Sequence, residues 1–459
     1  MFTPHIAIVD DEINQLNDIQ SAFFKAGYPC LPIHYSFDDF ENTSGIDHID
    51  IKFNPRLLVT DLNLQNGSLG GADSMSLVFP IYKLLEKMDI SGPYVLIFWS
   101  RIPEEVESVM NLLQERFYDK INLPLFYTCI DKTDYLGSIN TNKLKIKLEE
   151  IINENSLINA IFDWELRVSQ AATNTTNTLF SITRPKTDDI SDSYQETHAF
   201  NLKKVLASIG NEAVGLANAK INSEEALDIG LYPVLNDHLS TSNTSRKSSL
   251  WANAIPDLGI KINLENSLKT KLNTFYHIES VANDYPKSCR GSFLNLSKDI
   301  TQNVSKRNKI EKRLGQTLNS IIEEEFLDYY KNKPSVLKEF LAETTLGFIE
   351  VSAECDQAQK KVKLHRYLLA ALTPVKTTNY EINLKKFSLA HNGIYKLPDI
   401  CINERDYILQ CSFKYQIGSI PDENIWFGDT HFRIRDQVMS ELIFNFSHHI
   451  SRPGIICFR

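Results

Sequence analysis

The chain of 459 residues lacks most of the signatures that assign a function on sight. Its seven cysteines, at 30, 129, 289, 355, 401, 411 and 457, are scattered and odd in number, and no C-x-x-C pair occurs. That pattern argues against a disulfide frame or a structural zinc site and fits reduced thiols. No apolar run approaches the roughly 20 residues of a membrane helix, and the start, MFTPHIAIVDDE, has neither the basic nor the long apolar region of a signal peptide. The expectation is a soluble, cytoplasmic chain with no membrane partner. Positive charge is also short: 48 Lys and Arg face 58 Asp and Glu, a net of −10. A broad nucleic-acid surface is therefore not favoured, which leaves room for one basic patch at most. There is no Walker loop, no H-D hydrolase pair and no dinucleotide fingerprint. GSLGG at 67–71 has neither the strand-to-helix placement nor the lysine of a phosphate-binding loop.

What is present is globular: 42% hydrophobic and 23% charged residues in a chain long enough for two or three domains. In the first third, short apolar segments (HIAIV, PRLLVTDL, PYVLIFWS, PLFYTCIDK) alternate with stretches of helical spacing. In EINQLNDIQSAFFKAG, Leu16, Ile19, Phe23 and Phe24 recur at three- and four-residue steps, and Gly27 stands where a helix stop is expected. This βαβ pattern predicts a parallel sheet with helices on both faces. Ligands of such sheets bind beyond the carboxyl ends of the strands, so the polar residues closing each strand matter most. They are Asp10 and Asp11, then Asp61, Ser100 and Lys132. Adjacent aspartates repel unless a cation joins them. Magnesium takes hard oxygen ligands, and a carboxylate held beside it can attack a phosphoryl group while a lysine and a hydroxyl pair with the phosphoryl oxygens.

IVDDE, LLVTDLN, FWS and DK, in this order, resemble the receiver domain of two-component response regulators over about residues 1–140. The resemblance implies a doubly wound, flavodoxin-like parallel sheet of five strands, with Asp61 as phosphoacceptor. It further implies Mg2+ held by Asp10, Asp11, Asp61 and the backbone carbonyl of Asn63, with Ser100 and Lys132 contacting the phosphoryl group. The donor it implies is a histidine kinase or phosphotransfer protein. The chain departs from the family pattern in three ways. The intervals from Asp61 to Ser100 and from Ser100 to Lys132 are long. Thr133 follows Lys132 where a proline is usual, and Cys129 stands where the fifth strand usually carries an aromatic residue, with Tyr127 the nearest ring. The alternative is a receiver fold that docks a partner without being phosphorylated.

Residues 141–196 read as a helical extension and linker. KLKIKLEEIINENSLINAIFDWELRVSQAA predicts one long amphipathic helix, suited to packing on the next domain or on a second copy of the chain, and TRPKTDDISDSYQETH predicts a linker. Residues 197–345 read as mainly helical. There Lys306, Arg307, Lys309, Lys312 and Arg313 form a basic run that is more often a solvated helix face than a phosphate site. Residues 346–459 predict a small β-rich domain. TLGFIEVSAECD, HRYLLAALTPV, DYILQCSFKYQI and RPGIICF read as strands, and FRIRDQVMSELIFNFSHH as a helix. EVSAECDQAQKK, RIRDQVMSEL and RPG resemble, over short motifs only, the ends of bacterial conflict-system proteins built on divergent receivers, which implies antiphage defence and a protein effector partner. Two further sites stay open as minor alternatives. Glu354, Cys355, Asp356 and His365 offer a nucleophile and a base, and His431, His448 and His449 offer metal ligands.

Overall fold

The computed structural model describes residues 5–38, 43–46, 54–64, 74–135, 141–186, 193–241, 250–282, 284–359, 362–384 and 393–451. The chain divides into two compact units, Met1–Thr178 with Val234–Ile260 and Leu179–Pro233 with Lys261–Arg459.

The first unit starts with β1 (Ile6–Asp10), α1 (Ile13–Lys25), β2 (Leu31–His34), a small antiparallel pair β3 (Ser36–Asp38) and β4 (Thr43–Gly45), then β5 (Leu57–Thr60). It continues with α2 (Ser74–Met88), β6 (Val95–Ser100), α3 (Val106–Phe117), β7 (Phe126–Asp131), α4 (Thr141–Glu154) and α5 (Ser156–Ile182). The five long strands form one sheet in the order β2-β1-β5-β6-β7, every pair parallel. The βαβ pattern predicts the parallel sheet, and its strand order is the flavodoxin-like and receiver-like topology that the resemblance implies.

Strand periodicity explains the near-continuous apolar runs. Alternate residues serve opposite faces, and both faces are covered. Ala7, Val9, Leu58, Leu96 and Phe98 pack with Val78, Ile81, Leu85, Val109 and Leu113 of α2 and α3. Ile8, Val59, Ile97 and Trp99 pack on the other side with Leu16, Ile19 and Phe23 of α1 and Leu144, Leu148 and Ile151 of α4. Helix α1 ends where Gly27 takes φ +89°, with Tyr28 N–H on Phe23 O and Gly27 N–H on Phe24 O. These two bonds satisfy carbonyls that the last turn would otherwise leave bare. The single long helix predicted after the sheet is two helices. Asn155 interrupts it, accepting from Ile158 N–H through Oδ1 at 3.2 Å and so capping α5 afresh.

After α5 come α6 (Tyr194–Val214), α7 (Leu216–Ile221), α8 (Ser223–Thr241), α9 (Leu250–Ala254) and α10 (Asn266–His277). Part of the predicted linker is therefore helix. Ser193 caps α6 through Glu196 N–H, and His198 is buried against Phe180; residues 187–192 lie outside the described residues. The second unit then builds β8 (Ile278–Glu279), β9 (Ser292–Leu296), α11 (Lys298–Gln302), α12 (Val304–Leu314), α13 (Leu318–Ile321) running into a π-helical turn (Ile322–Phe326), and α14 (Pro334–Glu343). Its strands continue with β10 (Thr345–Glu350), then α15 (Glu354–Ala358), β11 (His365–Pro374), β12 (Ile394–Lys396), β13 (Ile400–Ile402), β14 (Arg405–Ser419), β15 (Phe427–Ile434) and α16 (Asp436–Ile450).

These strands make an eight-stranded sheet in the order β12-β14-β11-β10-β9-β15-β8, with β13 on β14. Two strands from the stretch read as mainly helical, β8 and β9, thus belong to the β-rich sheet. Phe432–Ile434, read as the start of the last helix, closes β15 instead, and RPGIICF lies outside the described residues. One face of the sheet carries Phe348, Tyr367, Leu369 and Ala371 under Ile310, Ile321, Phe326 and Phe340. The other carries Ile349, Leu368 and Ala370 under Val438, Met439, Leu442 and Phe446 of α16. Gly347 permits the close β9–β10 approach, since a Cβ there would meet Leu294 O at 2.5 Å. Among the described residues no helix is long and apolar enough to cross a membrane.

Candidate metal and phosphoryl site

The carboxyl edge of the parallel sheet gathers the residues that close its strands. Asp10 is the last residue of β1 and fully buried, with Oδ1 accepting from Glu12 N–H at 2.9 Å. Asp61 follows β5 directly. Its own N–H continues the ladder to Val9 O at 3.0 Å, which fixes its carboxylate beside the end of β1. Asn63 N–H reaches the Asp61 carboxylate at 3.3 Å, so the loop after β5 curls over the same point. Carboxylate oxygens of Asp10, Asp11 and Asp61 lie within 4.8 Å of one another, and among the described residues this is the one group of three or more such ligands.

One ammonium faces them. Lys132 opens a short 3-10 turn after β7, which Asp131 caps by accepting from Thr133 N–H at 2.8 Å. The lysine is buried, and its Nζ donates to Asp61 at 2.5 Å, Gln15 Oε1 at 2.8 Å and Asp10 at 3.2 Å. Ser100 closes β6, also buried, and its Oγ accepts from Ile102 N–H at 3.1 Å. Gln15 and His34 were not legible as site residues. Gln15 could have been noticed as a polar side chain on the buried stripe of α1, next to Leu16. His34, whose Nε2 meets Asp11 O at 2.9 Å, gives no such signal.

The electrostatics are unbalanced. Burial, followed by repulsion from Asp61, pushes Asp11 up from 3.8 to about 6. Asp10 also rises to about 6, with burial the largest cause and Lys132 pulling the other way. Burial raises Asp61 too, against the pull of Lys132. Three carboxylates against one ammonium leave a deficit of positive charge at a largely buried edge, where water screens it poorly. A divalent cation fits that deficit, and the all-oxygen donor set suits a hard ion such as Mg2+.

The other sequence candidates are not assembled in this way. His365 Nδ1 is bonded to the buried carboxylate of Glu350 at 3.0 Å, and Glu354 pairs with Arg290 at 2.6 Å; the Cys355 side chain lies outside the described residues. His449 lies tilted against Phe413 and His431 against Phe432, and among the described residues the histidines form no ligand group. The basic run on α12 is split: Lys306 pairs with Asp299, Arg313 covers the Trp426 ring at 5.3 Å, and Arg307 donates to Thr301 O. In comparison with known proteins, no family model, no curated protein and no solved structure matches the chain.

Proposed function

We propose that the N-terminal unit is the phosphoacceptor of a two-component response regulator, with Asp61 as nucleophile. The observation that carries this reading is the convergence of Asp10, Asp11, Asp61 and Lys132 within hydrogen-bonding or shared-ligand distance at the carboxyl edge of a parallel sheet. A carboxylate oxygen of Asp61 attacks the phosphorus of a phosphohistidine on a histidine kinase or phosphotransfer protein. The P–N bond breaks, the imidazole leaves with a proton, and an acyl phosphate remains on Asp61. Mg2+, when bound, withdraws negative charge from the transferred oxygens. Asp10, Asp11, Asp61 and the carbonyl of Asn63 are the ligands we assign to it. Lys132 is already within reach of Asp61 and pairs with a phosphoryl oxygen. Ser100 gives up Ile102 N–H and turns its hydroxyl to a second oxygen.

The second unit is then the output, which the acyl phosphate biases through a change of packing, of pairing with a second copy, or of contact with an effector protein. Its setting in antiphage defence rests on the short C-terminal motifs. The test is intact mass after incubation with Mg2+ and acetyl phosphate, and separately with phosphoramidate. The wild type gains one alkali-labile phosphoryl group and Asp61→Asn gains none. A wild type that gains nothing from either donor overturns the reading in favour of a docking module.

A further inference from the structure

Lys132 is held by three acceptors, and one of them is not a carboxylate. The side chain is buried, and its Nζ donates to Asp61 at 2.5 Å, to Asp10 at 3.2 Å and to Gln15 Oε1 at 2.8 Å. An ammonium has three N–H groups, so these contacts satisfy it completely. Gln15 is the third residue of α1 and is buried beside Leu16 and Ile19, on the face that α1 turns to the sheet. A glutamine on that face requires a polar partner, and Lys132 supplies it. Because an ammonium cannot accept a hydrogen bond, the amide must present its oxygen.

Phosphoryl transfer treats the three acceptors differently. Asp61 gives one oxygen to phosphorus, and its negative charge moves outward onto the phosphoryl oxygens. Asp10 is one of the ligands assigned to the cation. Gln15 is uncharged, belongs neither to the nucleophile nor to the oxygens assigned to Mg2+, and is carried by a helix rather than by a strand end. Its contact is the one of the three that transfer leaves in place. It also limits a competition. Lys132 already holds two of the carboxylates that a cation would need, and an ammonium with one N–H unmet in a buried place leans further onto them.

We infer that Gln15 is a positioning residue for phosphoryl transfer: it anchors Lys132 beside Asp61 throughout the reaction and keeps the ammonium from crowding the cation off Asp10 and Asp61. The inference rests on the phosphoacceptor reading of this site. Gln15 acts through Lys132 and touches no reacting atom.

The test compares the full chain with Gln15→Leu, which fills a similar volume on an apolar stripe and offers no acceptor. Without any phosphodonor, acetylation of Lys132 by acetic anhydride, read by peptide mass spectrometry, should quicken about tenfold in Gln15→Leu, the usual loss for a hydrogen bond to a charged group. Gln15→Glu keeps an acceptor at the same reach and should leave Lys132 labelled as slowly as in the wild type. With acetyl phosphate at limiting Mg2+, Gln15→Leu should take up the phosphoryl group about tenfold more slowly. It should also need more Mg2+ for half-maximal uptake. A role in packing alone would speed hydrogen exchange along α1 and leave that Mg2+ midpoint where it is. Unchanged labelling of Lys132 in Gln15→Leu overturns the anchor; faster labelling with unchanged uptake and midpoint overturns its part in transfer. A wild type that takes up no phosphoryl group instead removes the phosphoacceptor reading and the part in transfer with it, while the labelling still decides whether Gln15 holds Lys132.

Discussion

Asp61→Asn is expected to stabilise the first unit in the absence of divalent cations, although most substitutions of buried residues destabilise. The reason is the charge deficit at the carboxyl edge. Two like charges within 4.8 Å repel by about 3 kcal/mol at an effective dielectric of about 20. The displacement of Asp10 from 3.8 to about 6 corresponds to an advantage of about 3 kcal/mol for its protonated form, burial included. Asp61 is raised as well, so its ionised form is a net cost to the fold even with Lys132 beside it. Replacing it by a neutral isostere removes that cost and part of the strain on Asp10 and Asp11. A gain of about 1–3 kcal/mol at pH 7 follows, as part of those terms.

The sign of the pH dependence is fixed by the same shifts. A carboxylate whose pKa is raised in the fold leaves stability intact below its unfolded value of about 3.8 and erodes it as pH rises through about 6. The advantage of Asp61→Asn should therefore grow across that window and vanish near pH 4. Hydrogen exchange of peptides covering β1 and β5, in chelator, reads the local stability without requiring the whole chain to unfold in one step. Adding Mg2+ should reverse the order, because it stabilises the wild type more than the variant. Equal or faster exchange in Asp61→Asn at pH 7, or a gain that persists unchanged at pH 4, would refute the reasoning.

Two further perturbations separate the site from its scaffold. Lys132→Met deprives the cluster of its ammonium and should cost about 3–5 kcal/mol at pH 7, seen by the same exchange measurement and recovered in part by Mg2+; a loss below about 1 kcal/mol would mean the lysine is not the counter-charge. Arg56→Ala breaks the two-pronged contact with Glu165 of α5, at 2.8 and 2.9 Å. With both side chains partly exposed, the cost should be about 1 kcal/mol, appearing as faster exchange in α5, while phosphoryl uptake by mass spectrometry stays at the wild-type level.

Much of the parallel sheet and its edge was legible because each signal there is local. A strand buried on both faces must be apolar throughout, a helix on it must repeat every three or four residues, and a polar residue that ends the strand points to the ligand edge. Asp10, Asp61, Ser100 and Lys132 follow from those rules alone, before any resemblance is invoked. The break at Asn155 was local too, but it competes with a strong amphipathic pattern on either side, and the pattern dominated the reading. Gln15 is legible only in retrospect, since its meaning depends on Lys132, 117 residues away.

The second unit resisted reading because its information is almost wholly non-local. SFLNL, the β9 strand, is too short to outweigh the helices around it, and its place between β10 and β15 is set by partners that lie far along the chain. The acidic run at 323–325 makes the same point at one residue. Leu318, Ile321 and Ile322 are buried on a single stripe, and Glu325 falls where the next apolar residue is due. It is buried, held by Lys414 at 2.6 Å and Ser412 at 3.2 Å on β14. A carboxylate on an apolar stripe requires a partner, so the position announces a tertiary contact without naming it. Arg307 is the complementary case. It sits in a basic run that looks solvated, but its Nε is buried without an acceptor among the described residues. For Glu325 the fold supplies the missing charge; for Arg307 it supplies the Thr301 carbonyl to one nitrogen, and neither arrangement is visible in the local sequence.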